Sequence, residues 1–370
     1  MLSSPVEMRA WAEMGRRLAM GDVEAGVAFF AAGASALKDI PSTARMLLFD
    51  VCAKQMVLSS SFAIETYKLA PAIARAVNDA ELLRFVLETA AEIARRSTKH
   101  SADFLSDTPK VVESFRRFGP EAPRVTIATI ELTRVFAMKA GGVASDAWAA
   151  VPDAFDKLTA QQALSLLLRV NEFLSQSGSA ALHLFVAGGR VLRTIPEVFE
   201  DWCELLRVIA ERGNAALVAF VRTSGSVFSA LVVEAKKRGG ESAGEAAQRV
   251  IAVTREVALT DAEAAISCFR SSANAVSRSA SLEHYERWAR GGLEFADDAR
   301  ARRSYYALET RRSNESLTAG VDGLPLESVA QTLRLYIEGL TGRAVDIEPS
   351  LPRAKKRAST TAARFIFPRE

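Results

Sequence analysis

"WAEMGRRLAMGDVEAGVAFF" (residues 11–30) and "WARGGLEFADDARARRSYY" (residues 288–306) put the same parts in the same order. Each opens on Trp-Ala, breaks at Gly or Asp roughly ten residues on, and closes on an aromatic pair. One phrase written near both ends of a 370-residue chain points to a structural unit used repeatedly. With Phe29 as an anchor, an aromatic in a similar setting returns at Tyr67, Phe104, Trp148, Phe185, Phe220, Phe269 and Tyr306, in steps of 38, 37, 44, 37, 35, 49 and 37 residues. Eighteen positions before the anchors stand Trp11, Phe49, Val86, Ile130, Leu167, Trp202, Ile251 and Trp288, all apolar. Seven positions after those come Leu18, Met56, Ile93, Ala137, Leu174, Ile209, Ala258 and Phe295. Apolar positions two helical turns apart lie on one face, so each unit carries one buried stripe.

Between stripe and anchor lies a breaker: Gly21-Asp22, Ser59-Ser60, Ser97 to Ser101, Gly141-Gly142, Ser177 to Ser179, Gly213-Asn214, Thr260-Asp261 and Asp297-Asp298. Glycine ends a helix in the left-handed conformation, and Ser, Asn and Asp accept the free N–H groups that begin the next. Pro71, Pro109, Pro152, Gly189 and Gly225 follow their anchors by four or five residues, where they predict a stop or bend in the second helix. Each unit therefore reads as a helical hairpin. Such hairpins bury their faces only against neighbours, and the fold expected is an all-α solenoid of about eight repeats of the HEAT or TPR kind. The two long steps place surface insertions near residues 116–124 and 235–245. Ser4, Pro5 and Glu7 read as cap, first position and capping box of the first helix.

Composition agrees with a folded, soluble chain: 49% of residues are hydrophobic and 25% charged. The net charge of +3 has a local source, because residues 351–370 hold six Lys and Arg against Glu370, leaving residues 1–350 at 41 minus 43, or −2. A body of that balance speaks against nucleic acid, which calls for a continuous Lys/Arg stripe. Cys52, Cys203 and Cys268 are far apart in apolar helical contexts and read as small buried hydrophobes, which suits a reducing cytoplasm. No signal peptide and no membrane span is expected.

Motifs for chemistry are missing. His100, His183 and His284 fall in different units at no metal-ligand spacing and read as surface or helix-end residues. No P-loop occurs, and the glycines at 187–191 and 222–227 fit neither a dinucleotide loop nor a nucleophile elbow. Asp297 and Asp298 read as a cap rather than a metal pair. No catalytic residue, metal or cofactor is expected, although an enzyme with an unfamiliar helical site stays open as a third class.

From Tyr306 the pattern changes. Residues 306–318 read as one more helix, and Pro325 starts another whose Val329, Leu333, Tyr336 and Leu340 share a face that ends at Gly342. Residues 343–349 and 363–368 alternate as two short strands of a hairpin around a basic, Ser/Thr-rich loop. The expected organisation is a repeat array over 1–304, a terminal helical pair over 305–342, and a basic linker or β-hairpin over 343–370. Arg311, Arg312 and Glu315, with Arg334, Glu338 and Arg343, form the candidate partner-binding cluster. Arg's planar fork suits a partner's carboxylates or intramolecular ion pairs equally.

"ETRRSNESL" (309–317), "LESVAQTLRLYIEGLTGR" (326–343) and "AVDIEPSLP" (344–352) resemble the segment before the von Willebrand factor A domain in bacterial proteins of the NorD and CbbO type. The Trp-led helices at Trp11 and Trp202 are similar to the N-terminal half of those proteins. The resemblance implies pairing with a MoxR-type AAA+ ATPase that activates or remodels a client enzyme. The family's Asp-x-Ser-x-Ser metal signature does not occur in these residues, so the chain is expected to represent the helical portion, leading to a further domain. The function expected is a non-enzymatic scaffold or adaptor for protein partners in the cytoplasm; the alternative is a nucleic-acid-binding helical-repeat protein.

Overall fold

A computed structural model describes residues 4–238, 242–295, 298–308 and 326–342. Among these residues every regular element is helical, so the protein is all-α, and the strands expected at 343–349 and 363–368 lie outside them. The chain divides into two compact units, residues 1–193 and 194–370.

The first unit holds α1 (Pro5–Gly21), α2 (Val23–Ala32), α3 (Ser42–Met56), α4 (Ser60–Val77), α5 (Ala80–Ala94), α6 (Thr98–Phe115), α7 (Ala122–Ala140), α8 (Val143–Ala149), the short α9 (Val151–Ala154), α10 (Ala160–Leu174) and α11 (Gly178–Thr194). Here α1, α3, α5, α7 and α10 form one row in which each helix packs on the next; α2, α4, α6 and α8 form a second. The second unit holds α12 (Phe199–Ala210), α13 (Asn214–Arg238), α14 (Ala243–Thr260), α15 (Ala262–Arg278), α16 (Leu282–Gly291), α17 (Ala299–Ala307) and α18 (Leu326–Thr341). It repeats the scheme, with α12, α14, α16 and α18 in one row and α13, α15 and α17 in the other. The boundary expected after residue 304 falls inside α17.

The sequence register fits these helices. The eight stripe residues Trp11, Phe49, Val86, Ile130, Leu167, Trp202, Ile251 and Trp288 lie on α1, α3, α5, α7, α10, α12, α14 and α16, and all but the half-buried Trp11 are buried. The eight anchors lie on the following helices and are all buried. Three successive anchor pairs have their rings in contact: centroids are 4.4 Å apart for Phe29–Tyr67, 5.0 Å for Phe104–Trp148 and 4.4 Å for Phe220–Phe269. Their polar edges are met locally. Trp11 Nε1 donates to the Tyr67 hydroxyl, which donates to the Gly33 carbonyl, both at 2.9 Å. Trp202 Nε1 donates to Ser224 Oγ at 3.1 Å.

The breakers at Asp22, Ser97, Asp261 and Asp298 serve as caps, and Asp79 and Ser281 cap two more helices, whereas Ser59 makes no side-chain cap. Asp22, Asp79, Ser97, Asp261, Ser281 and Asp298 each accept a backbone N–H at the start of the helix they precede. Thr159 and Gln162 form a reciprocal capping box on α10. Ser4 caps α1 as expected, but Glu7 does not serve as the return arm. Its carboxylate turns inward to Arg45 on α3 at 3.0 Å, and both side chains are buried. Of the stop or bend expected after the anchors, the stop is overturned at four positions. Pro71 and Pro109 do not stop α4 and α6, which run on to Val77 and Phe115 because their faces stay packed on neighbouring helices. Gly189 and Gly225 likewise sit inside α11 and α13. Gly189 is a close-approach site, since a Cβ there would run into the Ala154 carbonyl. The 44-residue step is absorbed by a 3₁₀ turn over Arg116–Glu121 that holds Gly119 at φ 55°.

Trp202→Ala is expected to cost about 3–5 kcal/mol by opening a cavity around Phe199 and Phe228, read as a lower midpoint in chemical denaturation. Arg45→Met should cost about 3–5 kcal/mol by stranding the Glu7 carboxylate, and Glu7→Gln added to it should restore most of that loss.

Candidate functional site

The chemistry-bearing side chains are largely consumed by structure. Cys52, Cys203 and Cys268 are free thiols and buried. Burial pushes the Cys52 thiol up to about 12, and desolvation raises Cys268 as well. His100 and His284 sit in the first turns of α6 and α16, with Nδ1 at 2.8 Å from Ser145 Oγ and 2.9 Å from Ser281 Oγ. His183 is half-buried on α11, away from either end. Among the described residues no group of three His, Cys, Asp or Glu is placed to hold a metal ion. Asp298 caps α17 through the Ala301 N–H at 2.8 Å, while Asp297 lies outside the described residues.

The arginine-rich cluster expected from the sequence is only partly placed. Arg311, Arg312, Glu315 and Arg343 lie outside the described residues. Arg334 and Glu338 are one turn apart on α18, exposed and half-buried respectively. That helix is fixed from beneath: Leu333 and Tyr336 are buried, Arg278 donates to the Tyr336 hydroxyl at 3.2 Å, and Gly339 lies against the Trp288 backbone.

Other arginines hold helices of a row together. On the first-row helices of the second unit, Arg249 bridges Glu245 and Glu286 at 3.2 and 3.0 Å, and Arg290 bridges Glu256 and Glu286 at 3.0 and 3.1 Å. Arg302 is buried beneath α17, 3.6 Å from Asp261 and donating to the Phe295 carbonyl.

What remains outward and unspent is apolar surface. α2 reads "VEAGVAFFAA", apolar on every side, and Val23, Val27 and Phe30 are 69%, 64% and 45% exposed. Phe30 lies over Gly15 of α1 and meets Trp11 edge-on at 5.3 Å, so its ring stands in a fixed place. Met8 and Met20 of α1 are exposed as well. A second apolar feature is a groove of about 310 Å³ between α7 and α10, floored by Leu132, Val135, Leu164, Leu167 and Leu168 and edged by Glu131 and Asn171. A third is a cleft of about 510 Å³ where α4 to α7 meet, with Phe85, Val112 and Phe115 inside and Asp79, Glu81 and Arg116 around it. No catalytic pair of acid and base converges in any of the three. The exposed face of α2 was missed from sequence because its residues also fit a buried helix; the signal was the single charge, Glu24, in ten residues.

α13 is long and apolar enough to cross a membrane by length and composition, and 44% of that stretch is buried within the protein. Compared with family models, curated proteins and solved structures, the chain has no significant match.

Two titrating groups next to this apolar end and its neighbour set an alkaline limit. Tyr67 is pushed up to about 12, chiefly by burial, with the Trp11 hydrogen bond opposing, and Cys52 lies equally high. Groups whose folded values are raised contribute stability that is full below their unfolded values, near 9 for the thiol and 10 for the phenol, and lost as pH climbs toward 12. Denaturation midpoints are therefore expected to be flat to about pH 9 and to fall above it, while Cys52 in the folded chain should resist a thiol reagent at pH 8 and react promptly in denaturant.

Proposed function

We propose that the chain is a non-enzymatic scaffold: an α-solenoid of eight helical hairpins whose surfaces bind protein partners. The observation that carries the reading is the exposed apolar side of α2, with Val23, Val27 and Phe30 outward beside Met20. Neighbouring exposed apolar groups mark contact sites on soluble proteins. A fixed aromatic ring flanked by aliphatic groups is the kind of anchor that dominates interface energetics. The α7–α10 groove adds a second apolar seat of a size that takes a side chain or two.

The resemblance of the Trp-led helices and of residues 309–352 to proteins of the NorD and CbbO type supports a particular partner, a MoxR-type AAA+ ATPase, and a role in helping it activate or remodel a client enzyme. Three buried cysteines outside any disulfide suit work in a reducing cytoplasm.

Co-expression with a MoxR-type ATPase should give a complex that survives size exclusion at micromolar concentration and raises ATP turnover. Val27→Asp combined with Phe30→Asp should weaken it by about thirtyfold or more, the loss of a hot spot of ~2 kcal/mol; Phe30→Asp also gives up the packing on Trp11 and lowers the melting temperature, whereas Val27→Asp alone should weaken the complex without doing so. Absence of co-elution for the wild-type chain would remove the ATPase from the proposal.

A further inference from the structure

The outer faces of α13 and α15 have a different character from the apolar end. On α13 the residues turned outward are Arg222, Ser226, Ser229, Val233 and Lys236, spaced four, three, four and three apart along one face. On α15 they include Arg270, Asn274 and Ser277. The two helices lie side by side, Phe269 meeting Phe220 at 4.4 Å and Phe228 at 5.5 Å. Arg222 and Arg270 follow their own anchors by two residues and one, so they stand at the same level on adjacent helices.

Arg222, Arg270 and Lys236 are exposed cations with no carboxylate in ion-pair range among the described residues. The nearest acids on these helices are already taken, Glu234 by Lys237 and Glu263 by Arg303. On α14 and α16, by comparison, Arg249 and Arg290 are each bridged by two glutamates. Three exposed cations on the shared outer face of two adjacent helices, whose own carboxylates Glu234 and Glu263 are engaged elsewhere, make a positive strip ready for a partner's carboxylates.

The serines define what else the partner carries. Ser226, Ser229 and Ser277 each donate their hydroxyl proton to a carbonyl of their own helix, at 2.8, 2.8 and 2.7 Å. Their oxygens therefore offer lone pairs outward. A ligand that matches must accept from arginine and lysine and donate to serine, which a peptide does with its carboxylates and backbone N–H groups. A phosphate backbone has acceptors alone. Two further facts weigh against nucleic acid: the phenylalanines of α13 and α15 are all buried, leaving no ring for bases to stack on, and three cations fall short of the roughly six to ten phosphate contacts that hold a duplex binder. Arg222 and Lys236 are fourteen residues apart on the helix, about 21 Å at 1.5 Å per residue, a span matched by roughly six or seven residues of extended chain.

We propose that the outer face of α13 and α15 is a docking strip for an extended acidic segment of a protein partner, held by Arg222, Arg270 and Lys236. The strip is independent of the apolar end of α1 and α2 and of any ATPase. The probe is a fluorescein-labelled dodecamer alternating Asp and Gly, titrated with the full chain and followed by anisotropy. Binding should weaken as salt is raised, vanish for the Asn-Gly dodecamer, and fall by about tenfold or more in R222E/R270E, whose melting temperature should be unchanged. The Val27→Asp, Phe30→Asp chain should bind the dodecamer like wild type, which separates this strip from the scaffold reading. Equal binding by wild type and R222E/R270E, or none to the Asp-Gly dodecamer, overturns the proposal. Oligo-dT bound more tightly than the dodecamer, and lost in R222E/R270E, would assign the strip to nucleic acid instead.

Discussion

Contact between aromatic anchors on successive second helices is the constraint on which the packing depends. Phe29 against Tyr67, Phe104 against Trp148 and Phe220 against Phe269 each fill the space between two hairpins with rings at 4.4 to 5.0 Å. A single hairpin has nothing to close over its ring; the next hairpin provides the lid. Flat aromatic surfaces suit this task because they bury large apolar area while fixing only two side-chain torsions. The stripe residues on the first helices then complete each layer, and the caps at Asp22 and Asp261 let the chain reverse within a single residue.

Polar groups are fitted into this apolar scheme by short local bonds. The hydroxyls of Tyr305 and Tyr306 donate to the carbonyls of Trp288 and Ala289 at 2.6 Å, and Ser271 donates to the Tyr306 carbonyl at 2.7 Å. Such bonds let tyrosine replace phenylalanine inside the core without leaving a buried donor unmet. Two indole N–H groups, those of Trp148 and Trp288, lack a partner, a cost accepted where the ring is packed on every side.

The periodic part of the fold was legible in the sequence because each repeat writes its rule locally: an apolar pair seven apart, a cap, and a ring. Trp202 and Phe220 announce their places without knowledge of any other repeat. Helix ends were legible for the same reason. Features that depend on residues far apart were not. Glu7 looks like a capping-box member until Arg45, 38 residues away, is brought beneath it. Pro71 and Pro109 look like terminators until neighbouring helices hold the chain in line. The candidate surfaces were the least legible. Val27 and Phe30 have core composition and are exposed only because of where their helix stands, and Arg222 and Arg270 become a pair only when α13 and α15 are laid side by side.

Row packing also sets how either unit responds to tension. Each hairpin leans on the hairpin before and the hairpin after, and most of its bonds close within some forty residues of chain. The Glu7–Arg45 pair ties the outermost hairpin to its neighbour with two charges hidden from water. Peeling that hairpin away would expose both ions only after the layer between α1 and α3 has opened, which makes that rupture abrupt.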